Sequence, residues 1–362
     1  MSGDGLRLDC ISRQFSETTR IGQITLDVGS GEIVALTGPS GTGKTTVCRM
    51  ISGLERPDTG HITLNGEALD VLPVQKRCIA YMFESYALYP HLSVLQNIAF
   101  PLRAPNRKKL PLHEEKALVR DLMEIAQIAH LGDRKPGALS GGQKQRVALC
   151  RCLVQDASIF LLDEPISHLD AKLRNELRGW IRRRQTKLSA PTLWSTPDAM
   201  EALSVADRVA VLIGGKIAQL GTPEEIYFKP ATTDVARLVG DPSMNLIEGK
   251  LSDVGGQISF IANGISVRLP QELAARTSKV RGPKVILGIR PSAVALGGAD
   301  ARLRVYSWEP FGRHSIINAR LDETPIRIKT PPQGRFDVDQ MIDISIEPAN
   351  VVLFDGTTRK SI

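Results

Sequence analysis

Apolar and polar residues alternate along the first thirty positions of the chain. Leu6 and Leu8 alternate with polar residues, and Ile24, Leu26 and Val28 repeat the spacing before a Gly-Ser-Gly break at 29–31. A period of two is typical of strands with one buried face, so two antiparallel strands are predicted here. The continuous apolar run at 33–36 predicts a buried strand directly after them.

From residue 79 to about residue 220, short apolar runs alternate with segments of helical spacing. The predicted strands are 79–83, 159–162, 192–195 and a strand pair within 208–220, and the predicted helical segments are 94–156, 171–187 and 198–204. Alternation of this kind predicts a doubly wound α/β domain, whose largely parallel sheet binds ligands at the carboxyl ends of its strands. The helix-rich part, about 86–156, is predicted to form an α-helical subdomain.

The pattern changes near Gly240. Beyond residue 244 the chain consists of short predicted strands separated by Gly and Pro turns, with one predicted helix at Gln271–Arg276. This pattern predicts a separate, all-β C-terminal domain, folded as a small barrel. We therefore predict two domains, 1–240 and 241–362.

Composition narrows the classes of protein to which the chain can belong. The length of 362 residues agrees with two domains, and the net charge of +7 is spread along the chain without interleaved aromatics, so a nucleic-acid partner is not expected. Five cysteines without metal-site or disulfide spacing fit a reducing location. No apolar h-region follows Met1 and no run approaches ~18 apolar residues, so neither a signal peptide nor a membrane span is expected.

The strongest chemical signal is a glycine-rich stretch between the strand at 33–36 and a helical segment at 47–51. Strand, glycine loop and helix in this order form a P-loop, whose backbone N–H groups bind phosphate. Lys44 would reach the β- and γ-phosphates, and the Thr45 hydroxyl would bind Mg²⁺. The stretch therefore predicts binding of a nucleoside triphosphate. The candidate phosphate-binding residues are Gly38, Pro39, Ser40, Gly41, Thr42, Gly43, Lys44, Thr45 and Thr46.

A second predicted helix begins with residues suited to an anion. Its first residues combine an N-cap with exposed backbone donors, and they are Ser140, Gly141, Gly142 and Gln143. The apolar strand at 159–162 ends in two acids. Asp163 could hold Mg²⁺ through water, and Glu164 could polarise an attacking water as a general base.

Aromatic residues in two predicted loops leave alternatives open. Phe15 could stack on a base, or it could fill a hydrophobic gap. The segment Tyr86–His91 contains two tyrosines, which suggest either a docking surface or packing against a neighbouring helix.

Together these motifs resemble the ATPase subunits of ABC transporters over nearly the whole chain. Residues 139–143 match the signature motif of that family, and 159–164 match its Walker B strand with the catalytic glutamate. The D-loop would be 167–170, with Asp170 among the candidate nucleotide contacts, and Phe15 lies where the family has an adenine-stacking aromatic. The resemblance implies ATP and Mg²⁺ as ligands, and it places the metal at Thr45, Glu84 and Asp163.

The segments 86–91 and 287–291 are similar to the subgroup that serves maltose and glycerol-3-phosphate importers. In that subgroup the C-terminal region folds as an oligonucleotide-binding-like (TOBE-type) regulatory barrel. The resemblance implies an importer for a sugar, polyol or glycerol-phosphate solute, with this chain on the cytoplasmic face of the membrane. It implies as partners a second ATPase subunit, two permease subunits docked near Tyr86–His91, and an extracytoplasmic solute-binding protein. An ABC ATPase acting on nucleic acid would need a duplicated ATPase domain, whereas this chain has one P-loop.

Three positions depart from the family pattern. Glu84 replaces a glutamine, Pro197 replaces a histidine that contacts the γ-phosphate, and His168 stands where asparagine is usual. Proline has no side-chain donor, and loss of one such donor typically costs on the order of 10²–10³ in rate. We therefore hypothesise one half of a heterodimer, whose own site hydrolyses ATP poorly. The alternatives are a homodimer in which Glu164 suffices and a regulatory subunit with negligible hydrolysis.

Overall fold

A computed structural model describes residues 5–16, 20–104, 110–254, 257–262, 264–277, 284–332 and 334–362. Contacts between residues divide the chain into two compact units, Met1–Pro223 and Glu224–Ile362. Each unit is described by itself below.

Strands and helices alternate through most of the first unit. Its strands are β1 Gly5–Gln14, β2 Arg20–Gly29, β3 Ile33–Thr37, β4 Thr59–Leu64, β5 Glu67–Ala68, β6 Ile79–Met82, β7 Ile159–Asp163, β8 Thr192–Thr196, β9 Arg208–Ile213 and β10 Lys216–Gly221. Its helices are α1 Lys44–Ser52, α2 Val94–Ala99, α3 Leu112–Ile125, α4 Gly141–Leu153, α5 Ala171–Leu188 and α6 Ala199–Val205.

The central sheet has the strand order β10-β9-β3-β8-β7-β6. Strand β3 pairs in parallel with β8 and β9, and β7 pairs in parallel with β6 and β8, whereas β10 pairs antiparallel with β9. Every residue of β3, β7 and β8 is buried, as expected for strands covered on both faces. The prediction of a largely parallel sheet is confirmed.

A second sheet, ordered β2-β1-β4-β5, contains the two strands predicted before the P-loop. Strands β1 and β2 pair antiparallel, which confirms the prediction from alternating residues. Their inward side chains, among them Leu8 and Ile24, share one core with Leu36 of β3 and Met50 of α1. This shared core fixes the P-loop helix between the two sheets.

The helix-rich part of the first unit differs from the sequence prediction in one place. The sequence predicts helical spacing throughout 94–156, but α3 ends at Ile125. Gln127 adopts a left-handed conformation with φ of 55°, which turns the chain out of the helix. Helix α2 packs against both α3 and α4.

The second unit is mostly β-structure. It contains β11 Asn245–Val254, β12 Gln257–Ala262, β13 Ile265–Arg268, β14 Val285–Ile289, β15 Val294–Pro310, β16 Ser315–Leu321, β17 Thr324–Thr330, β18 Met341–Ile346 and β19 Val351–Asp355, with α8 Thr233–Leu238, α9 Gln271–Arg276 and most of α7 Pro223–Phe228. Its described strands form two antiparallel sheets, β13-β12-β11-β14-β19 and β17-β16-β15-β18. Residues of both sheets, such as Leu287 and Ile344, bury their side chains in one shared core.

Helix α8 belongs to this second unit by its contacts. Ala236 packs in a buried cluster with Met244, Ile286 and Phe354. Arg290 has 4% of its surface exposed, and its guanidinium donates to the carbonyl oxygens of Tyr227 and Val239. The contacts thus divide the chain before α8, although the sequence pattern changes only near residue 240. The predicted boundary after residue 240 stays a prediction.

None of the helices within the described residues is both long enough and apolar enough to cross a membrane.

Candidate nucleotide site

The P-loop connects the carboxyl end of β3 to the start of α1. The Lys44 ammonium lies over this loop, where Nζ donates to the carbonyl oxygens of Gly38 at 2.8 Å and Pro39 at 3.0 Å. Burial lowers the pKa of Lys44, and the nearby carboxylates of Glu164 and Asp163 act in the opposite direction. The lysine is therefore held at the mouth of the loop, with negative charge close by.

Two glycines of the loop have no room for a side chain. A Cβ atom on Gly38 would lie 2.1 Å from the carbonyl oxygen of Leu212, and one on Gly43 would lie 1.8 Å from Cδ1 of Ile21. Gly43 also has φ of 102°, a conformation that L-residues with a side chain rarely adopt. The loop conformation therefore depends on glycine at both positions.

Asp163 ends the central strand β7 as a buried and incompletely bonded acid. Its side chain is 1% exposed, and Oδ2 has no hydrogen-bond partner among the described residues. Burial raises the pKa of Asp163, whereas the nearby hydroxyls of Ser195 and Thr45 lower it. Leaving such an oxygen without a partner is costly, so its presence indicates a ligand.

A hydroxyl and a carboxylate oxygen at one edge of a sheet are the donor types that Mg²⁺ prefers. No group of three or more His, Cys, Asp or Glu side chains suited to a metal occurs among the described residues. Mg²⁺ usually binds one or two carboxylates and takes its other ligands from phosphate and water. Thr45 and Asp163 fit that pattern.

Glu164 follows Asp163 in a left-handed conformation with φ of 49°. Its backbone N–H donates to the Ser195 carbonyl at 2.9 Å, and its own carbonyl accepts from Gln145 Nε2 at 2.8 Å. Burial, and after it the carboxylates of Glu84 and Asp163, raises the pKa of Glu164. A raised pKa brings a carboxylate closer to the range in which a general base works at neutral pH.

Glu84 lies two residues beyond the end of β6, with an exposed side chain. Its charge acts on Asp163, Glu164 and Lys44, so the three residues are its neighbours. The structure thus brings Glu84 to the same edge of the sheet as the P-loop. Its role as a metal ligand stays a prediction.

Pro197 directly follows β8, which lies between β3 and β7 in the sheet. It therefore stands between the P-loop and the Asp163–Glu164 pair, where it offers no donor. The next residue, Asp198, caps α6, because its Oδ1 accepts from Met200 N at 2.8 Å and Glu201 N at 3.1 Å. The side chain of Asp198 is thus already engaged at the helix cap.

The signature segment begins α4 with a complete capping box. Ser140 Oγ accepts from Gln143 N at 3.3 Å, and Gln143 Oε1 accepts from Ser140 N at 2.9 Å. A Cβ on Gly141 would meet open space, whereas one on Gly142 would lie 3.3 Å from the His168 carbonyl. The contact of this segment with nucleotide stays a prediction.

Two further predicted nucleotide contacts have other partners in the structure. The Phe15 ring is 49% exposed and lies under the Arg13 guanidinium at 5.6 Å, so it does not fill a hydrophobic gap. Asp170 caps α5, and its Oδ1 accepts from Leu173 N at 3.0 Å. That hydrogen bond lowers the pKa of Asp170. Both contacts with nucleotide stay predictions.

Sequence reasoning missed Gln145, which is fully buried inside the first turns of α4. Its amide donates to the Glu164 carbonyl and to Ser167 Oγ at 3.1 Å, and Oε1 accepts from His168 N at 3.2 Å. One side chain therefore ties the start of α4 to the loop after β7. The available signal was a polar residue within the apolar repeat of a predicted helix.

Three family models match the chain. The ABC transporter model matches residues 21–167, the model of the MalK OB fold domain matches 240–294, and the TOBE domain model matches 287–354. The fold class predicted from the sequence, a P-loop α/β domain followed by an OB-like β domain, is confirmed.

Curated relatives are similar over almost their whole length. The sulfoquinovosyl glycerol transport ATP-binding protein of Agrobacterium fabrum is 37% identical over 94% of each chain. The trehalose/maltose import ATP-binding protein of Thermococcus litoralis is 37% identical over 99% of each chain. This chain belongs to the family of ABC transporter ATP-binding proteins. An sn-glycerol-3-phosphate import ATP-binding protein of Rhizobium johnstonii is 36% identical, over 97% of this chain and 94% of its own.

Solved structures agree with the ABC transporter fold of the first unit. The ATP-binding subunit of an ABC transporter superposes with a TM-score of 0.56 at 26% identity, covering 61% of this chain and 91% of the other. A dimeric bacterial ABC transporter cassette gives a TM-score of 0.55 at 24% identity, covering 60% and 98%, and it bears on the fold alone. The chain is therefore an ABC-type ATPase.

We predict that Asp163→Asn stabilises this ABC ATPase when nucleotide and metal are absent. When a carboxyl group has a higher pKa in the folded state than in the unfolded state, the protein loses stability as pH rises. The loss begins near the pKa of the unfolded state, about 3.9, and continues through the pKa of the folded state. At pH 7 in EDTA, the free energy of unfolding of the variant should exceed that of the parent by about 1–3 kcal/mol. Urea denaturation measures the difference in the free energy of unfolding, which should vanish near pH 3. In a separate assay, the variant should have lost Mg²⁺-dependent ATP hydrolysis.

Asp170→Asn is the matched control. Its carboxylate has a hydrogen-bond partner and a lowered pKa, so its replacement should not stabilise the protein at pH 7. Equal stability changes in the two variants would show that the unpartnered oxygen of Asp163 is not the cause.

Proposed function

We propose that this chain is the ATP-hydrolysing subunit of an importer for a sugar, polyol or glycerol-phosphate solute. The observation that carries the proposal is the buried Asp163 carboxylate, which has an unpartnered oxygen beside the P-loop hydroxyl of Thr45. A metal ion bound with the nucleotide would supply a partner for that oxygen. The class of solute rests on the names of the relatives, which describe sugar and glycerol-phosphate import.

Each side chain at the sheet edge has a separate task in this proposal. Lys44 leaves the carbonyl oxygens of the loop and binds the β- and γ-phosphates, while the N–H groups at the start of α1 bind the same oxygens. Phe15 stacks on the adenine. Glu164 accepts a proton from the attacking water.

Mg²⁺, held by Thr45, Asp163 and Glu84, would neutralise charge that develops on the transferred phosphoryl group. The carboxylate of Glu84 lies near Asp163 and Glu164. At that place a glutamate adds a negative charge that a glutamine would not add. Glu84 can therefore help to bind the metal, but its negative charge also repels the phosphate groups of the nucleotide.

The segment Tyr86–His91 is the proposed docking surface for two membrane-spanning permease subunits. Most of it is exposed, although Tyr89 also packs on Phe100 with a ring-centroid distance of 4.6 Å. Its amino-terminal end lies beside Glu84, so a contact here can influence the nucleotide site. In this arrangement the chain works at the cytoplasmic face of the membrane, and an extracytoplasmic solute-binding protein delivers the solute.

A second ATPase subunit would complete the site. Ser140–Gln143, with its exposed backbone donors, would bind the nucleotide held by the P-loop of that subunit. We infer a heterodimer, because the departures at Glu84 and Pro197 fall on the P-loop side and leave Ser140–Gln143 intact.

We predict that the whole complex, purified through a tag on this chain, contains two different ATPase subunits. Loss of catalytic side chains from the P-loop site of this chain is tolerated when a second, different chain supplies a competent ATP site. Mass spectrometry of the intact complex measures the composition. Two identical copies of this chain would contradict the heterodimer.

A catalytically impaired, regulatory subunit is the second candidate function, and Pro197 favours it. We predict that Pro197→His raises ATP turnover at this chain's own P-loop site on the order of 10²-fold, measured in a complex whose second ATP site is inactivated, because it adds a donor where transition-state charge develops. Pro197→Ala is the matched control, since it removes the proline and adds no donor. Equal turnover by the two variants would contradict the proposed role of the missing donor.

We predict that Tyr89→Ala together with His91→Ala releases the chain from membranes. Both residues are exposed in the proposed docking segment, and their loss removes apolar contact area. Co-sedimentation with membrane vesicles that contain the permease subunits measures the effect. Tyr306→Ala, which removes a 59% exposed aromatic from the second unit, is the control and should stay bound. Unchanged sedimentation of the docking variant would count against an importer subunit.

A further inference from the structure

The loop after β6 has an unusual conformation near the nucleotide site. Tyr86 and Ala87 are consecutive non-glycine residues in the left-handed region, with φ of 63° and 45°. Such residues are strained and persist only where their surroundings hold them. Arg151 of α4 supplies that support, because its guanidinium donates to the carbonyl oxygens of Tyr86 at 2.6 Å and Ala87 at 2.7 Å.

The Tyr86 side chain reaches the loop that follows β7. Its hydroxyl oxygen lies 3.3 Å from Nδ1 of His168, and the same Nδ1 lies 3.0 Å from Ser167 Oγ. A tyrosine hydroxyl is both a donor and an acceptor, so Tyr86 can donate to an unprotonated Nδ1. A neutral imidazole protonated on Nε2 offers the single lone pair of Nδ1 as the acceptor for the Tyr86 hydroxyl.

From His168 the contacts continue to Glu164. Gln145 donates to Ser167 Oγ and to the Glu164 carbonyl, and it accepts from the His168 backbone N–H. The backbone of Glu164 is thus bonded on one side to Ser195 of β8 and on the other to this loop. A chain of hydrogen bonds joins the ring of Tyr86 to the backbone that orients Glu164.

We propose that His168 is a positioning residue for ATP hydrolysis, which acts through Nδ1 to hold the loop after β6 against the loop that carries Glu164. The inference rests on the proposed role of Glu164 as the general base. His168 itself does not touch the substrate. Loss of the link lets the two loops separate, and a small displacement of a catalytic group is costly in rate.

The chemistry of this contact gives a sharp test. Asparagine has Oδ1 one bond beyond Cγ, where histidine has Nδ1, whereas glutamine has its polar atoms one bond further, where histidine has Nε2. Nδ1 is the contacting atom, so His168→Asn should keep the parent kcat. His168→Gln and His168→Ala should lower kcat by about tenfold, the value of one hydrogen bond, with KM for MgATP unchanged.

The measurement is steady-state hydrolysis of MgATP by the complex purified from membranes, with the ATP site of the second ATPase subunit inactivated so that turnover reports this chain's own site. If kcat falls as far in His168→Asn as in His168→Ala, or if all three variants keep the parent kcat, the inference is wrong. A change confined to KM also overturns it. Because the Asn and Gln variants both keep a polar side chain, a folding defect in the Ala variant leaves the comparison intact.

Tyr86→Phe removes only the hydroxyl at the other end of the link. Combined with His168→Ala, it should lower kcat no further than either change alone, because both remove the same contact. If the fold-losses of kcat in the two single variants multiply in the double variant, the two residues act independently. Glu164→Gln separates this inference from the proposed function, since parent turnover in that variant overturns the general base itself. If Glu164→Gln loses turnover while every His168 variant keeps the parent kcat, only the role of His168 is overturned.

Discussion

The parallel register of the central sheet is the constraint on which the site depends. Thr37 of β3 pairs with Thr196 of β8, and Asp163 of β7 pairs with Ser195 of β8, so three strands end at the same level. Residues that follow these strands must then lie at one edge, whatever their separation in sequence. The P-loop, Pro197 and the two acids meet there for that reason, and Glu84 joins them because β6 pairs in parallel with β7.

The same edge holds three ionisable groups whose charged forms are disfavoured by burial. Lys44 has a lowered pKa, while Asp163 and Glu164 have raised ones, and burial is the first cause in all three. Burying charged groups without enough hydrogen-bond or ionic partners lowers the stability of a fold. Such groups cluster at sites where a charged ligand binds. A bound nucleotide, with the proposed metal, would relieve this cost.

Much of this arrangement follows from local sequence patterns. The P-loop has a fixed spacing, and buried parallel strands are short apolar runs, so β3, β7 and β8 could be predicted. The end of α3 could not, because the left-handed turn at Gln127 has no glycine or proline to mark it. Gln145 and Arg151 escaped prediction because their partners, Glu164 and Tyr86, lie far from them in sequence and meet them only after the sheet has formed. The division before α8 was hidden in the same way, since it depends on contacts with strands that come later in the chain.

Helix α4 carries residues that serve two different nucleotides in the proposed dimer. Its first residues, Ser140–Gln143, would belong to the site of the partner subunit. Gln145 and Arg151 support the loops of this chain's own site. Defects in α4 should therefore differ in the ATP site that they disable, although they lie within a single helix. A lesion at its start would disable the other subunit's site, and a lesion only a few residues later would disable the chain that bears it.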